Sequence, residues 1–286
     1  MDKSSEEAGY NANYVQAFEF YLQQSEEHKA ICAFMDKVLP DEFTRIGEGK
    51  SSFNVLGVGS GGGEMDAHML HILQSRLPAT PVSVDVVEPS KKLIDNFKAL
   101  VARTPSLQKI PFTWNAIACG EYEKQVKGNK RFDFIHMIQM LYYVDDYVAT
   151  IKFFQGLLRE NGRLLIIHEG ASSGWATLWK TYKKELCTRS ISNYISASDI
   201  KDQLKALGLK FEEHLAPNTL DMTDCFTEGS KKGQLLLDFM TDQNFHTTMT
   251  PETRAGVLDL LRNKCSTVKN GRILFDCGLS CLVVHT

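Results

Sequence analysis

The sequence predicts an α/β fold in which a doubly wound, mostly parallel sheet carries additional helices. Short apolar strands alternate with helices between residues 53 and 170, and this alternation favours a parallel sheet covered on both faces. The first strand also runs directly into a glycine-rich loop that opens the next helix, an arrangement typical of nucleotide-binding folds. These two observations predict one doubly wound domain.

The strands and helices can be assigned in order along the chain. A strand "FNVLGVG", a helix "AHMLHILQSRL", a strand "VSVDVVEPS" and a helix "KKLIDNFKALVAR" come first. The strands "IPFTWNAIA" and "RFDFIHMIQML" follow, and after the helix "DDYVATIKFFQGLLRE" a turn at Asn161–Gly162 leads to the strand "RLLIIHEG". The closing segment "GRILFDCGLSCLVVHT" contains Asp276, Cys277 and Gly278, which predict a bend or a point of approach to a ligand.

Helical additions flank this domain. Near the start of the chain, Tyr14 and Phe18 recur at helical spacing, and a second apolar helical pattern ends at Leu39–Pro40. The predicted divisions are an N-terminal helical segment at residues 1–49 and a main domain at residues 50–286, with mostly helical insertions between about 171 and 275.

Composition and charge narrow the classes of partner. The formal net charge of -3 gives no electrostatic case for nucleic acid or an anionic membrane, and favours a small neutral or cationic ligand. No apolar run is long enough to span a bilayer, and the polar, acidic start is unlike a secretory signal. Seven cysteines without a C-x-x-C motif are typical of reduced thiols. We therefore expect a cytoplasmic protein that acts as a monomer.

The segment "VLGVGSGGGE" predicts a nucleotide-binding turn. Gly57, Gly59 and Gly62 fit the G-x-G-x-x-G pattern, so a nicotinamide-dependent oxidoreductase is one interpretation. Five glycines in seven residues let the backbone pass close to a ligand. Glu88 ends the second strand, where a carboxylate can accept hydrogen bonds from both ribose hydroxyls of an adenosine. The loop and Glu88 together predict a site for an adenosine-containing cofactor.

Polar and aromatic side chains follow the fourth strand. Gln139, Tyr142 and Tyr143 leave that strand at its carboxyl end, where ligands bind in parallel α/β sheets. An amide can donate or accept a hydrogen bond, and tyrosine rings offer flat walls that tolerate a cation. This group predicts a substrate site beside the cofactor.

Three other patterns have a structural explanation of their own. Trp175 and Trp179 share a helical stripe that Ser172 or Ser173 would cap, and such stripes usually belong to a core. Glu27 lies in a first helical turn, where an acid stabilises the helix dipole. The spacing Glu64, His68 and His71 superficially resembles a metal site, but its helix packs on the sheet and its first turn serves the cofactor, so we expect no metal.

The pattern resembles the class I S-adenosylmethionine-dependent methyltransferases. The glycine loop, the acidic strand end, Asp133 on an apolar fourth strand, "NGRLLII" as the fifth strand and "LSCLVVHT" as a reversed edge strand carry this resemblance. The second nicotinamide-binding half that a dehydrogenase requires is not recognisable. The resemblance implies a seven-stranded methyltransferase sheet with S-adenosylmethionine as the cofactor.

Longer segments are similar to the histamine N-methyltransferase family over nearly the full length: "FMDKVLP", "DFIHMIQMLYYV", "SSGWATLWKTY", "DCFTEG" and "ILFDCGLS". The family implies methyl transfer to an imidazole ring nitrogen of histamine, with residues 1–49 as a substrate cap and Glu27 and Gln139 as the catalytic pair. The implied cofactor residues are Gly59, Glu88, Leu93, Cys119 and Ile138. The implied substrate residues are Tyr14, Phe18, Glu27, Gln139, Tyr142, Tyr143, Trp175, Trp179, Phe239 and Cys277.

The chain departs from the family pattern at several of these positions. Cys277 stands where the family carries an asparagine that helps hold the substrate, and a thiol is a weaker hydrogen-bond partner. Cys119 replaces a serine, Leu93 a glutamine and Leu186 an aromatic residue. A related imidazole, carnosine or a histidine derivative, is therefore an alternative acceptor. A domain that binds an amine without turnover is an alternative function.

A neutral imidazole needs no strong base, so orientation is the expected source of catalysis.

Overall fold

The computed structural model describes residues 17, 20–126, 128–187 and 194–286. They form two compact units, each built from separate stretches of chain. The sheet unit comprises Ile31–His168, Ile200–His214 and Cys281–Thr286, and the aromatic unit comprises the residues up to Ala30, Glu169–Asp199 and Leu215–Ser280. The predicted boundary between residues 49 and 50 stays a prediction.

The secondary structure alternates over the first half of the chain as predicted, except at residues 158–162. These were predicted as the end of a helix and a turn, but they belong to the strand Leu158–Glu169. The secondary structure runs α1 Glu27–Gly47, β1 Phe53–Val58, α2 Glu64–Arg76, β2 Val82–Val87, α3 Lys91–Arg103, β3 Phe112–Asn115, α4 Cys119–Val126, β4 Phe132–Ile138, a 3₁₀ turn Leu141–Tyr143, α5 Tyr147–Gln155 and β5 Leu158–Glu169.

The second half has shorter elements. They are α6 Gly174–Thr181, α7 Lys183–Leu186, α8 Ala197–Ala206, β6 Phe211–Ala216, β7 Thr219–Asp221, a 3₁₀ turn Thr223–Phe226, α9 Lys231–Thr241, α10 Phe245–Thr248, α11 Pro251–Asn263, β8 Ser266–Lys269, β9 Arg272–Asp276 and β10 Leu279–His285. None of the described helices is both long enough and apolar enough to cross a bilayer.

The large sheet has seven strands in the order β3-β2-β1-β4-β5-β10-β6. β1 pairs in parallel with β2 and β4, and β2–β3 and β4–β5 are parallel as well. The order reverses between β1 and β4, which is the point where doubly wound sheets bind ligands. The predicted fold class is confirmed.

The prediction that "LSCLVVHT" forms the edge of the sheet is wrong. β10 lies between β5 and β6, and the edge strand is β6, which the sequence analysis did not identify. Burial explains the placement. Six of the seven residues of β10 are buried, as an interior strand requires. β6 reads "FEEHLA" with mostly exposed or half-buried residues, and a polar strand of this kind is suited to an edge.

A buried carboxylate ties the start of β4 to its neighbours. Oδ2 of Asp133 accepts hydrogen bonds from the Asn54 backbone N–H and from Arg159 Nη1, each at 2.8 Å, and Oδ1 accepts from Lys50 Nζ. The side chain is fully buried, so these charged donors offset the cost of removing it from water. Asp133 therefore has a structural role at the end of β4 opposite the ligand-binding edge.

The predicted helix end at Leu39–Pro40 is wrong, because α1 continues through Pro40 to Gly47. A proline inside a helix removes one hydrogen bond and costs roughly 3 kcal/mol. The apolar face continues past it: Phe43 is fully buried, and its ring lies 5.8 Å from that of Phe53 and 5.0 Å from that of Phe134. Burial of this face outweighs the local cost of the proline.

The aromatic unit contains short strands that the sequence analysis took for part of a mostly helical region. β7, β9 and β8 form a three-stranded antiparallel sheet. Strands of three to five residues carry too little alternation to be recognised. The predicted bend at 276–278 is confirmed, since β9 ends at Asp276 and β10 begins at Leu279.

Two glycines of the loop after β1 allow a matched test of backbone strain. Gly61 and Gly63 have φ values of 56° and 84°, but a Cβ at Gly61 would meet no atom within 4 Å, whereas one at Gly63 would lie 2.1 Å from the Phe97 ring. We expect Gly61→Ala to cost roughly 1–2 kcal/mol of unfolding free energy, from the left-handed backbone alone. Gly63→Ala should cost about 1–3 kcal/mol more, because the ring must move. Chemical denaturation checks this, and equal losses would contradict it.

Candidate active site

The glycine loop connects β1 to α2 with a left-handed backbone at several positions. Gly59 has φ 69° and Gly61 φ 56°, values that side-chain-bearing residues rarely adopt. A Cβ at Gly59 would lie 2.7 Å from Met140 Cβ, the residue after Gln139. The loop therefore runs closely against the segment that follows β4, and its glycines are required by geometry.

A buried polar network lies beneath this loop. Oδ1 of Asp66 accepts a hydrogen bond from Ser60 Oγ at 3.0 Å and lies 2.9 Å from His136 Nε2. A Cβ at Gly57 would lie 2.2 Å from Ser60 Oγ and 2.6 Å from Asp66 Oδ1. Gly57 therefore has no side chain because the network occupies that space. The network fixes the loop by bonding its residue Ser60 to Asp66 of α2, which in turn lies next to His136 of β4.

Glu88 is held at the same loop by two backbone donors. Its Oε2 accepts from the Gly61 N–H at 3.1 Å and its Oε1 from the Ser90 N–H at 2.9 Å. Burial raises the pKa of the carboxyl above its usual range, and the two backbone hydrogen bonds offset part of the rise. Each oxygen keeps a further lone pair, so Glu88 can accept hydrogen bonds from a diol beside the glycine loop.

The other residues expected at the cofactor lie in the first turns of α3 and α4 or at the end of β4. Leu93 lies in the first turn of α3, where its N–H donates to the Ser90 cap at 3.3 Å. Cys119 begins α4, and burial, with a smaller effect of the Glu88 charge, raises the pKa of its thiol to about 12. Ile138 is the last residue of β4. Their predicted contacts with a cofactor stay predictions.

Gln139 has a strained backbone at the carboxyl end of β4. Its φ is 51°, and the other non-glycine residues with positive φ in the described chain are asparagines or an aspartate, which tolerate this conformation better. Its backbone N–H donates to Ile167 O at 2.9 Å. Its side-chain Oε1 is buried without a hydrogen-bond partner among the described residues. Strain and an unused polar atom together make Gln139 a candidate for a functional position.

The two tyrosines after Gln139 lie side by side on a 3₁₀ turn. Their ring centroids are 4.5 Å apart in an edge arrangement. The Tyr142 ring also lies 5.3 Å from that of His168, a buried residue near the end of β5. In the sheet unit, Tyr142 and Tyr143 thus contact each other on the turn that follows Gln139, and a shared substrate surface of the three residues stays a prediction.

Glu27 lies in the aromatic unit, and its side chain is buried. Tyr21 Oη donates a hydrogen bond to Glu27 Oε2 at 2.8 Å, and Glu27 is only 6% exposed. An acid that merely stabilised a helix dipole would be expected in solvent. Burial, together with the Glu27 charge, raises the pKa of Tyr21 well above its usual range, so the phenol stays a donor. Sequence reasoning missed Tyr21.

Aromatic rings surround this pair. Tyr21 stacks on Phe239 at 4.8 Å and meets Trp175 edge-on at 5.9 Å. Trp179 donates from Nε1 to Met240 O at 3.2 Å and belongs to the buried core of the unit. Both tryptophans belong to the buried core of the unit, and their predicted contact with the substrate stays a prediction. The cap is Ser173, whose Oγ accepts from the Ala176 N–H. Tyr14 and Phe18 lie outside the described residues.

Cys277 lies at the same cluster and is fully buried. Its N–H donates to Asn218 O at 3.1 Å, and its Sγ lies 3.9 Å from Phe275 O. Burial, followed by the Glu27 charge, raises the pKa of the thiol well above its usual range. Cys277 therefore stays protonated, which makes it a packing group and a weak donor and gives it no nucleophilic character.

Sequence reasoning also missed Glu169, the last residue of β5. The residue is buried, and burial raises the pKa of its carboxyl to about 7. Its charge contributes to the raised pKa of Tyr21, so it lies near the Tyr21–Glu27 pair. The signal was available: Glu169 ends an apolar strand in "LLIIHEG", as Glu88 does in "VDVVEPS". Glu88 was identified as an acid at the end of an apolar strand, and the same rule applied to β5 would have identified Glu169.

Comparison with known proteins identifies the family. A model described as a methyltransferase domain matches residues 27–214. The chain is 43% identical to histamine N-methyltransferase of Danio rerio over 95% of both chains. It is 42% identical to the enzyme of Cavia porcellus over 96% of both. The chain belongs to the histamine N-methyltransferase family. It is also 41% identical to carnosine N-methyltransferase 2 of Gallus gallus, over 96% of this chain and 86% of that protein.

Solved structures confirm the fold of this family member. The YcgJ protein of Bacillus subtilis superposes with a TM-score of 0.56 at 12% identity, over 90% of this chain and 97% of that one. The plantazolicin methyltransferase BpumL, solved with SAH, gives 0.52 at 11% identity, over 99% and 93%. Both similarities concern the fold alone.

His68, one of the three residues whose spacing resembles a metal site, pairs with an acid. His68 Nε2 lies 2.7 Å from Asp36 Oδ1, within the sheet unit. Among the residues that the structure describes, no group of three histidine, cysteine or acidic side chains is placed to hold a metal ion. His71 and Glu64 therefore gain no support as ligands.

The position of Glu88 predicts its effect on cofactor binding. We expect Glu88→Ala to weaken S-adenosylmethionine binding by roughly 1.5–3 kcal/mol, about 10- to 150-fold in Kd, because a charged acceptor for the ribose is lost. Titration calorimetry measures this. Glu121→Ala, which removes an exposed acid on α4, is the control and should leave Kd unchanged. Equal affinities for Glu88→Ala and the wild type would reject the assignment.

The raised pKa of Glu169 predicts a pH-dependent stability. The carboxyl binds a proton more tightly in the folded chain than in the unfolded one, so its contribution is full below about pH 4.5 and is lost as the pH rises through about 7. Glu169→Gln should therefore gain stability relative to the wild type between pH 5 and pH 8, by up to about 3 kcal/mol.

Chemical denaturation at the two pH values checks this prediction. Glu160→Gln, at an exposed acid of the same strand, serves as the control and should show no such trend. A difference between Glu169→Gln and the wild type that is the same at both pH values would contradict the raised pKa.

Proposed function

We propose that this methyltransferase transfers the methyl group of S-adenosylmethionine to an imidazole ring nitrogen of histamine. The observation that carries the proposal is the buried Tyr21–Glu27 pair among aromatic rings, in a chain that matches histamine N-methyltransferases over nearly its whole length. A buried carboxylate lined by aromatic faces is suited to an ammonium group. Histamine carries such a group beside a nucleophilic ring.

The cofactor side of the proposal rests on the glycine loop and Glu88. When bound, S-adenosylmethionine supplies a methyl group on a positively charged sulfur, which a neutral nitrogen can attack. The loop backbone at Gly59 would approach the cofactor closely, and Glu88 would accept hydrogen bonds from the ribose. The buried network at Asp66 and His136 holds the loop rigid, so little ordering is needed on binding.

The acceptor side needs orientation more than base catalysis. An imidazole has an unperturbed pKa of about 6.5, so the nucleophilic neutral form is abundant at about pH 7. We propose that Gln139 binds the ring through its buried Oε1, and that Glu27 binds the amine. Tyr21 holds the Glu27 carboxylate in one orientation. Tyr142, Tyr143, Trp175 and Phe239 exclude water, and the ring proton leaves to solvent after transfer.

A related imidazole is the second candidate acceptor, and a specific observation favours it. The family asparagine is replaced here by Cys277, whose buried thiol offers only a weak donor. The similarity to a carnosine N-methyltransferase of Gallus gallus is of the same order as that to the histamine enzymes. Comparison of kcat/KM for histamine and carnosine decides between the two.

We propose further that the protein acts as a cytoplasmic monomer, with residues 1–49 as a cap over the substrate. All seven cysteines of the chain are free, which is typical of a reducing compartment. The net charge of -3 suits a small cationic substrate. Gel filtration with light scattering tests the monomer, and fractionation of cells tests the compartment.

Glu27 and its neighbour allow a matched test of the acceptor site. We expect Glu27→Gln to lower kcat/KM for histamine about tenfold or more, because the charge that binds the ammonium is lost. The Kd for S-adenosylmethionine should stay within about twofold of the wild type. Glu26→Gln is the control, since Glu26 is exposed and pairs with Lys29. The measurement is transfer of labelled methyl to histamine.

Two results would contradict the assignment. If Glu27 only stabilised the start of α1, Glu27→Gln would keep its kinetics and lose about 0.3–1 kcal/mol of stability. If the wild type bound histamine and cofactor without transferring a methyl group, the chain would be an amine-binding domain and the proposal would be rejected.

A further inference from the structure

Asn218 is a buried amide that the proposed mechanism does not use. The residue is 3% exposed and lies just before β7. Neither Oδ1 nor Nδ2 of its side chain has a hydrogen-bond partner within the described part of the chain. Leaving a buried polar group without a hydrogen bond destabilises the fold, and here one side chain presents two such atoms. A buried amide of this kind calls for a ligand that satisfies it.

Backbone contacts place Asn218 at the bend between β9 and β10. Its carbonyl oxygen accepts from the Cys277 N–H at 3.1 Å. On the other side of the bend, the Gly170 N–H donates to Gly278 O at 2.8 Å, and Gly170 follows Glu169. The bend is therefore flanked by a buried amide and by a buried carboxyl, both within the aromatic unit.

The same corner adjoins the pair proposed to bind the amine. The backbone N–H of Glu26 lies 3.4 Å from Thr219 O, and Ser25 forms a β-bridge with Leu220. The strand that follows Asn218 is thus paired with the residues that precede Glu27. Cys277 lies close enough to Glu27 and Tyr21 for their electrostatic effects to reach its thiol. Asn218, Cys277 and Glu27 therefore lie on segments of the aromatic unit that are joined by backbone contacts.

We propose that Asn218 determines acceptor specificity by binding an amide group that the imidazole acceptor carries beyond its ring. An asparagine side chain presents an N–H donor and a C=O acceptor, which are complementary to the C=O and N–H of a peptide-type amide. Glu169 beside the bend supplies a carboxyl for an amine attached beyond that amide. The inference rests on the proposed function and deepens its second candidate: it narrows the related imidazole to one whose side chain carries an amide, as in an aminoacyl histidine.

The test compares carnosine, which carries an amide, with histamine, which does not. We expect Asn218→Leu to lower kcat/KM for carnosine roughly tenfold while changing that for histamine less than about threefold. Thermal stability should be unchanged or higher, because the substitution removes two unsatisfied polar atoms. Asn218→Ser should also lower kcat/KM for carnosine. This variant tests the proposal if leucine disturbs the fold.

Gln243→Leu is the matched control. Gln243 is also a buried amide of the aromatic unit, but its Nε2 donates to Glu185 O at 3.1 Å. Its loss should lower stability and leave the ratio of kcat/KM for carnosine and histamine unchanged. A purely structural role for Asn218 would give the same pattern as this control and would overturn the proposal.

Calorimetric binding of carnosine keeps the two proposals separate. If the wild type binds carnosine and Asn218→Leu weakens that binding about tenfold, the inference is supported even where no methyl is transferred, and only the proposed function fails. If carnosine does not bind, or binds equally to wild type and Asn218→Leu, the inference is overturned. Methylation of histamine alone would then leave the proposed function intact.

Discussion

The left-handed backbone of the glycine loop is the constraint on which the cofactor side of the sheet depends. It can pass over the Ser60–Asp66–His136 network only because Gly57 has no Cβ, and it can pass Met140 only because Gly59 has none. The loop in turn presents the Gly61 N–H to Glu88. One stretch of backbone therefore positions the acid after β2 and packs against the segment after β4. Gln139, which precedes Met140, takes its strained φ within this arrangement.

Three buried carboxyls illustrate how partners decide what an acid can do. Glu88 accepts two backbone hydrogen bonds, which favour the charged form and suit it to neutral hydroxyl donors. Glu27 accepts from the Tyr21 phenol, and its charge raises the pKa of Tyr21 and of the Cys277 thiol. Burial dominates at Glu169 and raises its pKa to about 7, so it can change its protonation state near neutrality. Chemically identical groups thus differ in their hydrogen-bond donors and in their protonation, and the roles proposed for Glu88 and Glu27 follow from that difference.

Much of the fold could be predicted because the sheet unit follows local rules. Apolar strands, caps such as Ser90 and the glycine loop each carry their own signal, and Glu88 and Gln139 follow because both end parallel strands. The predictions that failed concern features that depend on contacts between residues far apart in the sequence. Pro40 remains helical because Phe43 packs on the sheet, and β10 lies inside the sheet because β6 covers its outer side. Tyr21 and Asn218 carry no local signal, since their neighbours come from far along the chain.

Gln139 and Asn218 also show that considerations of stability alone do not explain which residues occupy the candidate site. The Gln139 backbone is strained, and its Oε1 is buried without a partner in the described chain. Both polar atoms of the Asn218 amide also lack a partner there. Each feature costs about 1–3 kcal/mol in the free protein, and none of them helps the fold. A sequence selected for stability alone would replace Gln139 by glycine or asparagine and Asn218 by an apolar residue. If a bound molecule satisfies these amides, as proposed above, its contacts offset the costs, and the buried amides without partners then indicate which polar groups the ligand carries.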